Sequence, residues 1–228
     1  MIEPNTSTLV WKPALPPIAV RLRGRYVTLE PLGALRHSED LWQAANGHDD
    51  LWTWLFDGPY STETELRRAI EAKQAATAAV FMAIVPEPSQ RAAGWASFMR
   101  ADPAHGVIEV GNILLTPALQ RTTAATEAMY LMAAHVFESL GYRRYEWKCN
   151  AENLPSRRAA ERFGFTFEGI FRQHMVVKGR NRDTAWFSML DSEWATKKRA
   201  FEAWLDPANF DTNGRQRRSL TEIAASQS

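Results

Sequence analysis

The stretch "LLTPALQRTTAATEAMYLMAAHVF", Leu114 to Phe137, passes from an apolar run through a short polar turn into a helical pattern. Ala125, Ala128, Met129, Met132, Val136 and Leu140 recur at three- and four-residue intervals, while Glu127 and Glu138 fall elsewhere. The spacing predicts an amphipathic helix lying on a sheet, stopped at Gly141. Upstream, "GVIEVGNILL" from Gly106 reads as a strand; downstream, "YRRYEWKCN" alternates, with Tyr145, Trp147 and Cys149 on one side and Glu146 and Lys148 on the other.

Outward from this unit the order of elements predicts a mixed α/β fold. "NLPSRRAAERFGF" opens with an N-capping type, has an early proline and ends at Gly164, so it reads as a short helix. "RQHMVV" and "TAWFSML" flank "KGRNRD", a connection rich in turn formers that suits a hairpin. Toward the N-terminus, "VFMAIV" and "GWASFMR" are strand-like, and "STETELRRAIEAKQAAT" predicts a helix near residues 62 to 76. "VRLRGRYVTLEPL" reads as two short strands about Gly24, followed by a helix that Ser38 or Asp40 begins and Gly47 stops. The expected organisation is an extended arm over residues 1–20, carrying Pro4, Pro13, Pro16 and Pro17, one domain over 21–205, and a polar surface tail over 206–228. Trp11 is placed to pin the arm. The arm and "SEWATKKRAFEAWL", with Trp194, Phe201 and Trp204, either meet a second subunit in a homodimer or close one edge of the same domain.

The chain has 228 residues and balances 27 basic against 26 acidic side chains, so its net charge of +1 gives no global footprint for nucleic acid or an anionic membrane. The longest apolar run, "AAVFMAIV", is far short of the ~20 residues that span a bilayer. The single cysteine, Cys149, forms no intrachain disulfide, and no secretory signal is legible at the N-terminus; the expectation is a cytoplasmic protein with a buried structural thiol. The five histidines show no metal-ligand spacing.

Three features bear on chemistry. The turn "QRTTAA" opens the long helix, where unpaired N–H groups and the positive dipole end suit a phosphate; a simple threonine cap is the competing reading. Alternation sets Glu109 on one strand face with Val107, Gly111 and Ile113, so it either faces a cleft, is buried and paired, or sits at an edge. Asn153 and Ser156 stand at the start of the short helix, where capping alone accounts for them.

In combination, "IEVGNILLTPALQRTTAATEA" and "LGYRRYEWKCNAENLPSRRAAERFGFTFEG" resemble the GCN5-related N-acetyltransferase (GNAT) superfamily, in the branch that acetylates ribosomal-protein N-termini. The resemblance is strongest from about Gly94 to Leu190. It implies a mostly antiparallel sheet flanked by helices, whose splayed central strand forms an acetyl-CoA cleft. Ile113, Leu114 and Leu115 would then meet the pantetheine arm. Gln120, Arg121, Thr122, Thr123, Ala124 and Ala125 match the family's Gln/Arg-x-x-Gly-x-Gly/Ala diphosphate cradle, with Thr123 standing where glycine is usual. Asn153 would contact the pantetheine, Ser156 the thioester sulfur, and Arg157 and Arg158 the phosphates.

The resemblance implies acetyl transfer to a primary amine, either a protein N-terminal α-amine or a small molecule, in a ternary complex with Glu109 as base and no metal. The alternative is a noncatalytic acyl-CoA-binding or interaction module on the same fold. For the acceptor, Trp52, Trp54, Trp95 and Trp147 are candidates to line an aromatic pocket, and Asp49, Asp50 and Asp57 to attract a cation.

Overall fold

The computed structural model describes residues 8–227; Pro4 and the rest of residues 1–7 of the expected arm lie outside the described residues. An eight-stranded sheet runs in the order β1-β2-β3-β4-β5-β6-β8-β7. Its strands are Leu22–Arg23 (β1), Val27–Pro31 (β2), Ala79–Pro86 (β3), Gly94–Asp102 (β4), Val107–Leu115 (β5), Arg144–Asn150 (β6), Thr166–Val177 (β7) and Arg180–Leu190 (β8). Every neighbouring pair is antiparallel except β5 and β6. The helices are Ala34–Ala45 (α1), Glu63–Gln74 (α2), Thr123–Ala134 (α3), Leu154–Arg162 (α4), Asp191–Leu205 (α5) and Leu220–Ala225 (α6).

Each face of the sheet carries its own core. On one face Ile108, Val110, Tyr145, Trp147 and Phe187 pack beneath α3, α4 and α5. On the other, Ala83, Val85, Trp95 and Leu114 pack against Leu41 of α1 and Leu66 and Ile70 of α2. Helix α3 is apolar on nearly all sides, and Glu127, which the heptad-like spacing leaves off the stripe, is 5% exposed. Its carboxylate accepts the N–H groups of Arg25, Tyr26 and Val27 and so holds the β1–β2 turn.

Several boundaries differ from the sequence expectation. Helix α1 begins four residues before Ser38, which is buried within it. After Ala134 a π-turn over His135–Ser139 closes the long helix. The β7–β8 connection is only Lys178–Gly179, with φ of 49° and 74°, so "RNRD" is strand. Two consecutive left-handed residues match the twist of a tight hairpin, and the turn therefore needs no more chain than that.

Residues 206–226 are not a surface tail. Ser219 and Glu222 form a capping box on α6, whose Leu220 and Ile223 are buried against the core, and Trp204 Nε1 donates to Gln216. Trp194, Phe201 and Trp204 are all buried in the chain's own core, so they close an edge of this domain and are not available to a second subunit. Deleting residues 207–228 is expected to lower the unfolding free energy by about 3 kcal/mol, the scale of uncovering two aliphatic side chains, as a denaturant titration would measure. The arm runs without regular structure from residue 8, and Trp11 pins it through Nε1 to the Ala104 carbonyl at 2.7 Å.

Candidate active site

The parallel pair β5–β6 holds register only from Val107↔Arg144 to Val110↔Trp147. Beyond Val110, β5 continues to Leu115 beside β4 alone, and Lys148 to Asn150 of β6 pair only with β8. The two strands therefore part, and the β6 side of β5 is left without a partner strand from Gly111 onward. A bulge adds to this opening: Trp95 pairs Leu114 but Ser97 pairs Gly111, which leaves one extra residue on β5. Asn112 has φ of 51°, and its Nδ2 donates to Ser97 Oγ, which in turn donates to the Gly111 carbonyl. The bulge breaks the alternation expected for β5. Ile113 and Leu115 pack against the α3-side core, while Leu114 is buried on the α1–α2 side.

Helix α3 points its N-terminus at the chain just past this opening. Thr122 is the N-cap: its Oγ1 accepts from Ala125 N at 3.1 Å and donates to the Leu119 carbonyl at 2.7 Å. Capping consumes the Ala125 N–H, so the first-turn N–H groups of Thr123 and Ala124, which have no carbonyl one turn back, remain for an anion. Thr123 lies in α3 itself; the left-handed residue of the turn is Arg121, with φ of 60°. Threonine in the usual glycine place thus costs no backbone strain here. Gln120 is turned back, donating to the Leu115 carbonyl at 3.0 Å, and Arg121 is exposed.

Across the opening, Asn153 caps α4 by accepting from Ser156 N at 3.1 Å, with Pro155 in the first turn. Ser156 Oγ accepts from Trp147 Nε1 at 3.0 Å. Burial pushes the Cys149 thiol up, while its hydrogen bond with Ser156 and the charges of Arg182 and Arg157 act in the opposite direction. Arg158 is exposed, and Arg157 donates to the Ala151 carbonyl and lies over Phe167.

The other face of the opening is a polar trough. Glu109, 2% exposed, accepts from Arg100 Nη1 at 2.9 Å on Oε1 and at 2.8 Å on Oε2, and Lys148 Nζ lies 3.0 Å from Oε2. Arg100 reaches it because a second register shift, with φ of 47° at Arg100, displaces β4 there. Lys148 also pairs with Glu146 at 2.7 Å and sits 3.8 Å over the Trp186 ring. A carboxylate offers about four lone-pair sites, and these contacts leave one open on Oε1. Gly111 lets Met99 and this carboxylate pack close to the strand, since a Cβ there would lie 3.2 Å from Oε1 and 2.5 Å from Met99 Sδ.

The trough has a roof. Lys178 Nζ, at the tip of the β7–β8 hairpin, donates to the carbonyls of Trp52 and Asp57, joining the hairpin to the loop before α2. Arg182 lies 5.1 Å from the Phe56 ring. The tryptophans do not gather as expected: Trp52 and Trp95 are buried in the α1–α2 core, Trp147 is buried on the opposite face, and only Trp54 is partly exposed. Asp57 is taken up by Lys73 and by Tyr60, whose hydroxyl is pushed up by burial and by that carboxylate. The aromatic side chains that do border the trough, Trp186, Phe171 and Phe56, and the charges Arg100, Lys148 and Arg182, were not singled out in the sequence. Of these, Arg182 and Trp186 lie in "RDTAWFS", whose alternation is masked by its neighbouring turn formers.

No helix among the described residues is long and apolar enough to cross a membrane. None of their His, Cys, Asp and Glu side chains form a group of three or more placed to hold a metal ion.

Comparisons with known proteins agree with this geometry. A family model for the acetyltransferase (GNAT) domain matches residues 27–166. A crystal structure of a GCN5-related N-acetyltransferase from Brucella melitensis superposes with a TM-score of 0.93 at 50% identity, covering 95% of this chain and 99% of that one. A protein described as a probable GNAT-family acetyltransferase from Chromobacterium violaceum ATCC 12472 has a TM-score of 0.80 at 41% identity, covering 86% of this chain and 98% of that one. An uncharacterised N-acetyltransferase, p20, of Bacillus licheniformis is 30% identical over 112 residues, 49% of this chain and 62% of that relative's length. A chain that matches the GNAT domain over more than half its length, with the splayed strand pair and a helix N-terminus at its mouth, belongs to the GNAT acetyltransferase family.

Proposed function

We propose that the protein is an acetyl-CoA-dependent N-acetyltransferase that acts on a primary amine by direct transfer in a ternary complex. The observation that carries this reading is the divergence of β5 from β6 after Val110, which leaves strand backbone unpaired beside the capped end of α3. This chain's residues fit the donor. The Ile113–Leu115 backbone would pair with the pantetheine amides, the N–H groups of Thr123 and Ala124 with Arg121 would hold the diphosphate, and Asn153 and Arg158 would flank the arm. When bound, acetyl-CoA supplies the thioester carbon to which the amine nitrogen bonds as the C–S bond breaks and the thiolate leaves.

An alkylamine, pKa ~10.4, is almost wholly protonated near neutrality, so its proton must be removed before attack. The open site on Glu109 Oε1 receives that proton, either from the ammonium directly or through a water. Ser156, whose oxygen is held by Trp147 Nε1 and whose hydroxyl bonds with Cys149, would have to turn that O–H from the thiol toward the departing sulfur. Thr123 was the reason to consider a noncatalytic module, and its unstrained place in α3 removes the steric part of that objection.

Calorimetric titration with acetyl-CoA tests the cradle. Wild type is expected to bind at about micromolar strength, more weakly at high salt, and Thr123→Gly to change the affinity less than about tenfold, or 1.4 kcal/mol. No binding by wild type with recovery in the glycine variant would leave the fold with a lost donor site, and the noncatalytic reading would replace this one.

A further inference from the structure

Arg182 is 7% exposed, yet its side chain makes no hydrogen bond or ion pair among the described residues, and its Nε is buried without a partner. Its guanidinium lies 5.1 Å from the Phe56 ring. A buried guanidinium without a counter-charge is expensive, because desolvation is not offset by pairing. Burial pushes its pKa down, with Glu109 and Cys149 acting the other way and Arg100 adding to the depression. A second orphan lies on the same face of β8: the Trp186 Nε1 donor is also buried without an acceptor.

The charge balance of the trough points the same way. Arg144 bridges Glu168 and Glu146, Arg100 holds Glu109 and Lys148 bridges Glu109 and Glu146, so with Arg182 four cations meet three carboxylates, and Arg182 is the one without an ion pair. The acids that would attract a polycation are spent or remote, since Asp57 is paired with Lys73 and Asp49 and Asp50 are exposed. The trough therefore ends at Glu109 in a proton acceptor and at Arg182 in an unpaired guanidinium beside the Phe56 ring.

We infer that the acceptor amine carries an anionic group, a carboxylate or a phosphate, which the Arg182 guanidinium receives while the amine lies beside Glu109. This rests on the acetyltransferase reading and narrows it: polyamines and amide-capped amines are poor acceptors. A planar guanidinium can take either anion through two parallel N–H bonds, which a lysine cannot reproduce.

The test compares matched amines in a CoA-release assay: L-phenylalanine with L-phenylalaninamide, phosphoethanolamine with ethanolamine, and spermidine. At least one anionic member is expected to exceed its neutral partner by tenfold or more in kcat/KM, and which pair responds tells carboxylate from phosphate. In Arg182→Gln that preference is expected to vanish, mostly through KM, with partial recovery in Arg182→Lys and unchanged acetyl-CoA affinity. Neutral amines or spermidine turned over as fast as the anionic ones by wild type would overturn the inference while leaving the acetyltransferase in place. If no amine is acetylated, binding of the same compounds in the presence of CoA, read by tryptophan fluorescence, decides independently. Anion-selective binding lost in Arg182→Gln would keep the receptor and discard the transfer reading, and unselective or absent binding would discard the receptor. Should Arg182→Gln fail to fold, the wild-type comparison still decides.

Discussion

Replacing Glu109 with Gln is expected to lower kcat/KM for an alkylamine acceptor by about 10²-fold near pH 7, equivalent to about 2.7 kcal/mol of lost transition-state stabilisation. The deficit should shrink as pH rises. Below its pKa of ~10.4 an alkylamine gains about tenfold in free base per pH unit, so an enzyme without its proton acceptor draws on that rising fraction. An α-amine acceptor, with pKa ~7.7 to 8.0, is already partly free near neutrality and should lose much less. The substitution keeps the shape of the side chain, but it removes the charge that Arg100 and Lys148 share at 2.8 to 3.0 Å. Acetyl-CoA affinity measured on the same preparation separates lost chemistry from a collapsed trough. Turnover unchanged across about pH 6 to 9 would show that no carboxylate is needed and would remove Glu109 from the mechanism.

The parts of this site that were legible in the sequence are those fixed by local signals. Helix α3, its threonine cap, the alternation of β6 and the Asn153–Pro155 start of α4 are set by residues close in sequence, and each lies within a few residues of its expected place. What failed depends on partners distant in the chain. Alternation put Ile113 on the Glu109 face, but pairing with β4 inserts a bulge at Asn112 that turns it to the other side. "KGRNRD" looked like loop because its residues are individually turn formers, yet only Lys178 and Gly179 make the turn, and pairing with β7 draws Arg182 into the sheet. The segment after Trp204 is polar by count, and the capping box at Ser219 and Glu222 was its one local sign of a helix. Trp52, Trp54, Trp95 and Trp147 were expected to line an aromatic acceptor pocket. Burial is their commoner use, and Trp95 and Trp147 follow it on opposite faces of the sheet.

The largest expected effect on stability belongs to Glu127, which lies in α3 and reaches the β1–β2 turn. Its Oε1 accepts the Arg25 N–H at 2.9 Å, and its Oε2 accepts those of Tyr26 at 2.6 Å and Val27 at 3.0 Å. Gly24 is what lets the turn approach this closely, since a Cβ there would fall 2.3 Å from Oε2. Glu127→Ala strips the carboxylate from three donors, so a loss of about 3 kcal/mol is expected, with hydrogen bonds to a charged group worth ~1.5–3 kcal/mol each and not additive. For a chain of this length that corresponds to a fall in Tm of roughly 6 to 12 °C. Gly24→Ala should destabilise as well, by forcing the same turn off the carboxylate. The decisive comparison is the double variant: with Glu127 already truncated, the three atoms nearest the added methyl are gone, so the two losses should fall well short of adding. If Gly24→Ala costs as much in the Glu127→Ala background as in the wild type, the turn is held by something other than this carboxylate.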